Sequence, residues 1–215
     1  MATALDYEKE YKDLYLPGLE PVLIKIPEIN FVSLAGKGDP NDINGEYKSA
    51  VEILYGIQYT IKMSKKGTYI PEGYFDYVVP PLEGFWWFNS KTDIKDKSKY
   101  NWISVIRLPE YVTKDVFTWA CGEAGKKKKI DTSKAQLIKI QEGLCVQCMH
   151  TGSFDDEPET LKLIDTFIKE NNLIKDLTDK RKHHEIYLSD PRKTEEAKMK
   201  TVLRIPVKER LCSAF

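Results

Sequence analysis

The sequence predicts an α+β fold: a tandem duplication of a strand-helix-strand-strand module, with antiparallel sheets and a ligand groove at the pseudo-twofold junction of the halves. Three observations carry this. First, Val32 to Asp42 lies over Val146 to Asp156 when one half is slid along the other; each is an apolar strand, a Gly-containing turn and an Asp-rich lead into a helix. Second, the match continues into the helices: Tyr47, Ala50 and Leu54 fall on Leu161, Ile164 and Ile168, all apolar and spaced at the helical period. Third, Ile106-Arg107-Leu108-Pro109 resembles Leu203-Arg204-Ile205-Pro206 at a shorter offset, so the first half holds extra residues between its helix and its last strand. Identity between the halves is thin, and the order of elements supports the duplication more than the letters do. The 215 residues then form a single domain, with modules over about 20–110 and 136–207 joined by a connecting helix over 111–127.

Each element has its own signal. A strand near Asn30 to Ala35 leads to a helix over Glu46 to Lys62, where Tyr47, Ala50, Val51, Leu54, Ile57 and Ile61 keep the helical period and Gln58 is the polar exception. Strands follow at Tyr74 to Val79, resuming at Phe85 to Phe88, and at Asn101 to Leu108. Thr113 is a good N-cap for the connecting helix, with Val112 and Phe117 as a hydrophobic staple. In the second half, Leu144 to His150 is a strand. Asp155 or Asp156 caps a helix whose first turn suits Pro158 and whose buried stripe is Leu161, Ile164, Phe167 and Ile168. Strands at His183 to Ser189 and Thr201 to Pro206 complete the module. The first twenty or so residues are polar and tyrosine-rich, either a poorly ordered arm or a strap over the core.

Composition excludes several classes. Charged residues are 31% of the chain, 33 basic against 33 acidic, so no net field gathers phosphates and nucleic acid is not the expected partner. The basic run Lys126 to Lys129 reads as a solvated loop or helix end. No signal peptide opens the chain, and no window approaches the roughly 18 apolar residues that span a bilayer. A cytoplasmic protein without membrane contact is expected, its four cysteines Cys121, Cys145, Cys148 and Cys212 reduced.

Candidate chemistry concentrates on His183 to Pro191. Strand alternation puts His184, Ile186 and Leu188 on one face, where the apolar pair should meet the helix, and His183, Glu185, Tyr187 and Ser189 on the other. A mid-strand carboxylate flanked by rings is either a partly desolvated base and charge partner for a cationic ligand, or a solvent-facing glutamate on a half-exposed sheet. Trp86 and Trp87, adjacent in a strand, point to opposite faces, one towards the helix layer and the other towards a possible ligand groove. Tyr55 and Tyr59 are core tyrosines whose hydroxyls can reach a groove as donors. Cys145 and Cys148 have metal-site spacing but lie in a strand pattern with thiols on opposite faces, so buried free cysteines are the better reading and no metal is expected. Gly36-Lys37-Gly38-Asp39 is not a phosphate loop, and no nucleophile elbow, His-Glu-x-x-His or dinucleotide fingerprint is present; no cofactor is expected.

Several segments resemble one family. They are Gly38-Asp39-Pro40-Asn41, Leu82-Glu83-Gly84-Phe85-Trp86-Trp87, Ile106-Arg107-Leu108-Pro109, Glu142-Gly143-Leu144-Cys145-Val146-Gln147 with Met149-His150, Asp155-Asp156-Glu157-Pro158 and, most distinctive, His183-His184-Glu185-Ile186-Tyr187-Leu188-Ser189-Asp190-Pro191-Arg192. Together they resemble the GyrI-like (DNA gyrase inhibitor-like) small-molecule-binding superfamily, in its stand-alone bacterial branch, from about Tyr7 to Val207. The resemblance implies two modules with a ligand groove at their junction and a buried glutamate, matched by Glu185, that meets flat or cationic aromatic ligands. It also implies hydrolysis of cyclopropanoid DNA-alkylating toxins or, alternatively, non-catalytic sequestration of aromatic drugs. On that reading Trp86 or Trp87 and Trp102 stack on the ligand, with Phe85, Tyr59 and His183 beside it. Glu185 activates water, and Tyr187 or Tyr55 donates to the dienone oxygen.

Overall fold

The computed structural model describes residues 4–90 and 96–210. Over these the chain is an α+β fold. In chain order it comprises α1 (Tyr7–Glu10), α2 (Lys12–Tyr15), β1 (Val22–Lys37), α3 (Glu46–Lys62), β2 (Leu82–Trp87), β3 (Asn101–Arg107), α4 (Lys114–Lys128), β4 (Gln136–Thr151), α5 (Glu157–Glu170), β5 (Leu173–Lys175), β6 (His183–Tyr187) and β7 (Lys200–Glu209). The chain divides into two units: Met1–Glu10 with Ile29–Ile140, and Tyr11–Glu28 with Gln141–Phe215.

In the first unit β3 pairs antiparallel with both β1 and β2. The register sets Val32 opposite Ile106, Gly36 opposite Trp102, and Trp86 on the other side of Trp102. Paired residues share a face, and on this face α3 brings Leu54, Ile57 and Ile61 against Val32, Leu34, Trp102 and Ile106. The polar exception on α3 is satisfied: buried Gln58 donates from Nε2 to the Arg107 carbonyl at 2.7 Å. Helix α4 adds Val116, Phe117 and Ala120 to the same core. Its N-cap is Thr113, whose Oγ1 accepts from Val116 N at 3.3 Å. Lys126, Lys127 and Lys128 form its last turn, where cations favour the helix dipole, and Lys129 closes it in the left-handed region at φ 56°.

The segment Tyr74 to Val79 is not the expected sheet strand. Tyr77 makes one isolated parallel bridge to Leu5, with Leu5 N donating to Asp76 O at 2.8 Å and Val78 N to Leu5 O at 2.7 Å. Pro80-Pro81 follow directly and lack the N–H groups that a sheet ladder needs.

In the second unit β7 pairs with β4 through Cys145–Pro206 to Thr151–Lys200, with β6 through His184–Arg204 to Tyr187–Thr201, and at its end with the short β5, which the sequence reading lacked. Val146, Cys148, Leu203 and Ile205 share one face, covered by Ile164 and Ile168 of α5. Asp156 occupies the expected N-cap position of α5 but makes no side-chain cap hydrogen bond. Ser153 Oγ instead accepts from Asp155 N at 3.3 Å at the head of a 3-10 turn, Phe154–Asp156, that runs into α5.

The N-terminal segment is a strap, not a loose arm. Tyr7 is buried in the first unit, with the Arg107 guanidinium 4.2 Å from its ring centre and its hydroxyl 3.1 Å from Glu110 Oε2. Leu14 and Tyr15 are buried in the second.

Candidate functional site

Strand β6 places three of the expected site residues together. His184 and Ile186 are buried while His183, Glu185 and Tyr187 are intermediate, which is the expected two-residue alternation. The face is the reverse of the expected one. Glu185 pairs with Leu203 and Tyr187 with Thr201, so both lie on the face that α5 covers. The expectation failed because it assumed that only one face of β6 is apolar and buried. Ile186 and Val202, on the face away from α5, are also sealed from solvent, at 1% and 0% exposure. Alternation defines two faces but does not say which one a helix covers.

The Glu185 carboxylate is held at both oxygens. His183 Nε2 donates to Oε1 at 2.9 Å, and the Tyr187 hydroxyl donates to Oε2 at 2.7 Å. The side chain keeps 14% of its exposure, so it is mostly desolvated yet still reachable. A carboxylate oxygen accepts from two directions, so each still has an acceptor position open. Phe154 packs edge-on to the Tyr187 ring at 5.8 Å and is 37% exposed. Its turn is braced by His150, whose ring lies 2.8 Å from the Ser153 carbonyl and 2.8 Å from Thr160 Oγ1.

On the other face of the same strands lies a buried polar network that the sequence reading missed. Glu142 Oε1 accepts from Arg204 Nη1 at 2.8 Å and lies 3.0 Å from His184 Nδ1. Arg204 also donates to Gln147 Oε1 and, through Nη2, to the Leu14 carbonyl at 2.8 Å. Gln147 Nε2 donates to the Asp13 carbonyl at 2.5 Å, so the network ties the strap to the sheet. Burial alone raises the Glu142 carboxyl, but the charges of His184 and Arg204 outweigh it and hold the group at about 2. The available signal was cross-strand: Gln147, Arg204 and His184 are polar residues at directly paired positions of three neighbouring strands.

The remaining expected site residues lie in the first unit. Trp86 is on the α3 face, half-buried, 5.6 Å from the Tyr47 ring and 6.2 Å from that of Tyr100. Trp87 is half-buried on the opposite face, as adjacent strand residues must be. Trp102 and Phe85 are core residues at 1% and 4% exposure, and neither offers a surface for a ligand to stack on. Trp102 lies across Gly36 and meets Tyr47 edge-on at 5.2 Å. Tyr55 is partly buried against the α3 core and stacks on Tyr59, which is exposed.

Cys121, Cys145 and Cys148 are free thiols, and Cys212 lies outside the described residues. Among the described residues no three His, Cys, Asp or Glu side chains are grouped to hold a metal ion, and no helix is long and apolar enough to cross a membrane.

An α+β chain with antiparallel sheets and a tethered, mostly desolvated carboxylate has the makings of a small-molecule-binding protein. The chain belongs to the GyrI-like family: the GyrI-like small molecule binding domain matches residues 19–208. It is similar to an uncharacterized conserved protein from Listeria innocua, at 49% identity and TM-score 0.90 over 95% of this chain and 100% of that one. It is likewise similar to a hydrolase from Listeria innocua, at 47% identity and TM-score 0.87 over 95% of this chain and 100% of the other. The C-terminal domain of EcmrR, 12% identical with TM-score 0.51 over 89% of this chain and 98% of that domain, shares the fold alone. No curated protein matches the chain.

Proposed function

We propose that this protein hydrolyses cyclopropanoid DNA-alkylating compounds, in which a strained spirocyclopropane is joined to a conjugated dienone, with Glu185 as general base. The observation that carries the reading is the Glu185 carboxylate, fixed by His183 and Tyr187 and only 14% exposed. The hydrolase from Listeria innocua at 47% identity supports the reaction class.

In the proposed reaction an open acceptor position on Glu185 takes a proton from water as the water oxygen attacks a cyclopropane carbon. The carbon–carbon bond of the small ring breaks, and its electron pair enters the dienone, which becomes a phenolate. The phenolate takes a proton from solvent and Glu185 returns its own, so the sum is substrate plus one water. Ring strain supplies much of the driving force. Because the Tyr187 hydroxyl donates to Glu185, its role in this proposal is to orient the base and not to donate to the dienone oxygen. Phe154, exposed beside Tyr187, supplies an aromatic surface for the flat substrate.

Mass spectrometry of a cyclopropanoid after incubation tests this. The expected product is heavier by one water with the wild type, and formation slows by about a hundredfold or more in Glu185→Gln. Compound recovered bound and unaltered would show sequestration in place of hydrolysis, and equal rates in both proteins would remove Glu185 from the mechanism.

A further inference from the structure

The first unit contains an open cleft of about 620 Å3 between the end of α3, the 3-10 turn Met63–Lys66 that follows it, and the outer face of α4. That volume is within the roughly 300–1,000 Å3 of small-molecule sites. On α4, Trp119, Glu123 and Lys127 recur every fourth residue and so line one side. Tyr59 and Met63 line the other, and Tyr69 closes the end.

Two features give the cleft a chemical character. The first is aromatic surface. The rings of Tyr69 and Trp119 lie 4.4 Å apart at 38°, and Tyr59, Met63 and Tyr69 keep 46%, 38% and 38% exposure around a single depression. The second is charge. Three lysines, Lys66, Lys127 and Lys128, stand against one carboxylate, Glu123. Glu123 is engaged by Lys127 at 3.3 Å and by Lys126 at 3.7 Å. Lys66 and Lys128 have no carboxylate partner among the described residues. Ser64, on the same wall and 4% exposed, has an Oγ without a hydrogen-bond partner among the described residues.

We infer that this cleft is a binding site for a planar aromatic anion, such as an aryl carboxylate. Tyrosine and tryptophan faces alone would also attract a cation. Lys66 and Lys128, which face no carboxylate among the described residues, repel one, and a neutral ring would leave them unused. A flat ring with one negative group satisfies both features: the ring lies on the aromatic wall while the anion meets Lys66 and Lys128. The site is independent of Glu185, which belongs to the other unit.

Isothermal titration calorimetry with naphthoate, naphthalenemethanol and naphthylmethylammonium tests the inference. Naphthoate should bind at one saturable site, about tenfold or more tighter than either counterpart. The double variant Lys66→Glu with Lys128→Glu changes only exposed side chains and should weaken naphthoate by about tenfold or more, with circular dichroism unchanged. Glu185→Gln should leave the affinity as it is. Absence of saturable binding, a preference for the ammonium, insensitivity to the double charge reversal, or loss of binding in Glu185→Gln would each overturn it.

Discussion

Arg204 and Glu142 meet at 2.8 Å where neither is open to solvent, their side chains 2% and 6% exposed. Taking both charges out of water is costly, and the arrangement is sustained because each has further partners: Gln147 and the Leu14 carbonyl for Arg204, His184 for Glu142. Removing one member strands the others. Arg204→Met should therefore destabilise the protein by about 3–5 kcal/mol. Adding Glu142→Leu to that variant should restore part of the loss, since an apolar pair leaves less uncompensated charge. The midpoints of urea unfolding for the three proteins check both statements.

The same carboxylate sets a pH dependence. Burial alone raises the Glu142 carboxyl, and His184 and Arg204 reverse this and bring it from 4.5 to about 2. The folded value lies below the unfolded one, so the unfolded chain binds the proton more readily. The stability supplied by this group is complete above about pH 4.5 and drains away as the pH falls towards about 2. The variant Glu142→Gln should be less stable than wild type near neutrality but lose less between about pH 5 and pH 2. Equal slopes in that window, by thermal unfolding, would remove Glu142 from the acid sensitivity.

The sequence carried much of this architecture, for identifiable reasons. The apolar stripe of α3 gave its bounds, Glu46 to Lys62, because one face meets a sheet and Gln58 interrupts it only to bond the Arg107 carbonyl. Thr113 was legible as a cap because capping is local. The grouping of His183, Glu185 and Tyr187 followed from alternation alone. The face they share was not legible, because Ile186 and Val202 make the opposite face equally dry. Nor was the Glu142 network, whose members come together only through the register of β4, β6 and β7 and through the strap. Trp102 looked like a ligand surface because nothing local reveals that Gly36, far off in sequence, leaves room for its indole.

The close approach of Trp102 to Gly36 is testable. A β-carbon on Gly36 would stand 2.3 Å from Trp102 Cζ2 and 2.4 Å from Cη2, and the ring cannot retreat, being 1% exposed with Tyr47 against it. Gly36→Ala should cost about 1–3 kcal/mol by overpacking. Combined with Trp102→Leu, which removes the clashing ring, the loss should be smaller than the sum of the two single losses. Chemical denaturation of the four proteins gives the cycle directly.

The thiols should be inert in the folded protein. Burial pushes Cys145 up to about 12, with the Glu142 charge adding to it, and pushes Cys148 and Cys121 up to about 11. The thiolate is the reactive form, and almost none exists at neutral pH for such groups. Iodoacetamide followed by peptide mapping should find these three unmodified in the native protein and all modified in denaturant. Labelling of Cys145 or Cys148 without denaturant would mean that the strand β4 core opens readily.

Mutation separates the carboxylate from its support. In the proposed reaction Glu185 meets the water, whereas Tyr187 acts only through Glu185, by the hydrogen bond at 2.7 Å. Hydrogen bonds to a charged group are worth about 1.5–3 kcal/mol, so losing one loosens the base without removing it. Tyr187→Phe keeps the ring that packs edge-on to Phe154 and deletes only the hydroxyl. Its rate of cyclopropanoid hydrolysis should fall by about tenfold to a hundredfold, less than in Glu185→Gln, with substrate affinity close to wild type. In Glu185→Gln the same Tyr187→Phe change should have little further effect, because the group it orients is no longer a base. A loss in the double variant equal to the product of the two single losses would mean that the hydroxyl acts on the substrate itself, as a donor to the dienone oxygen.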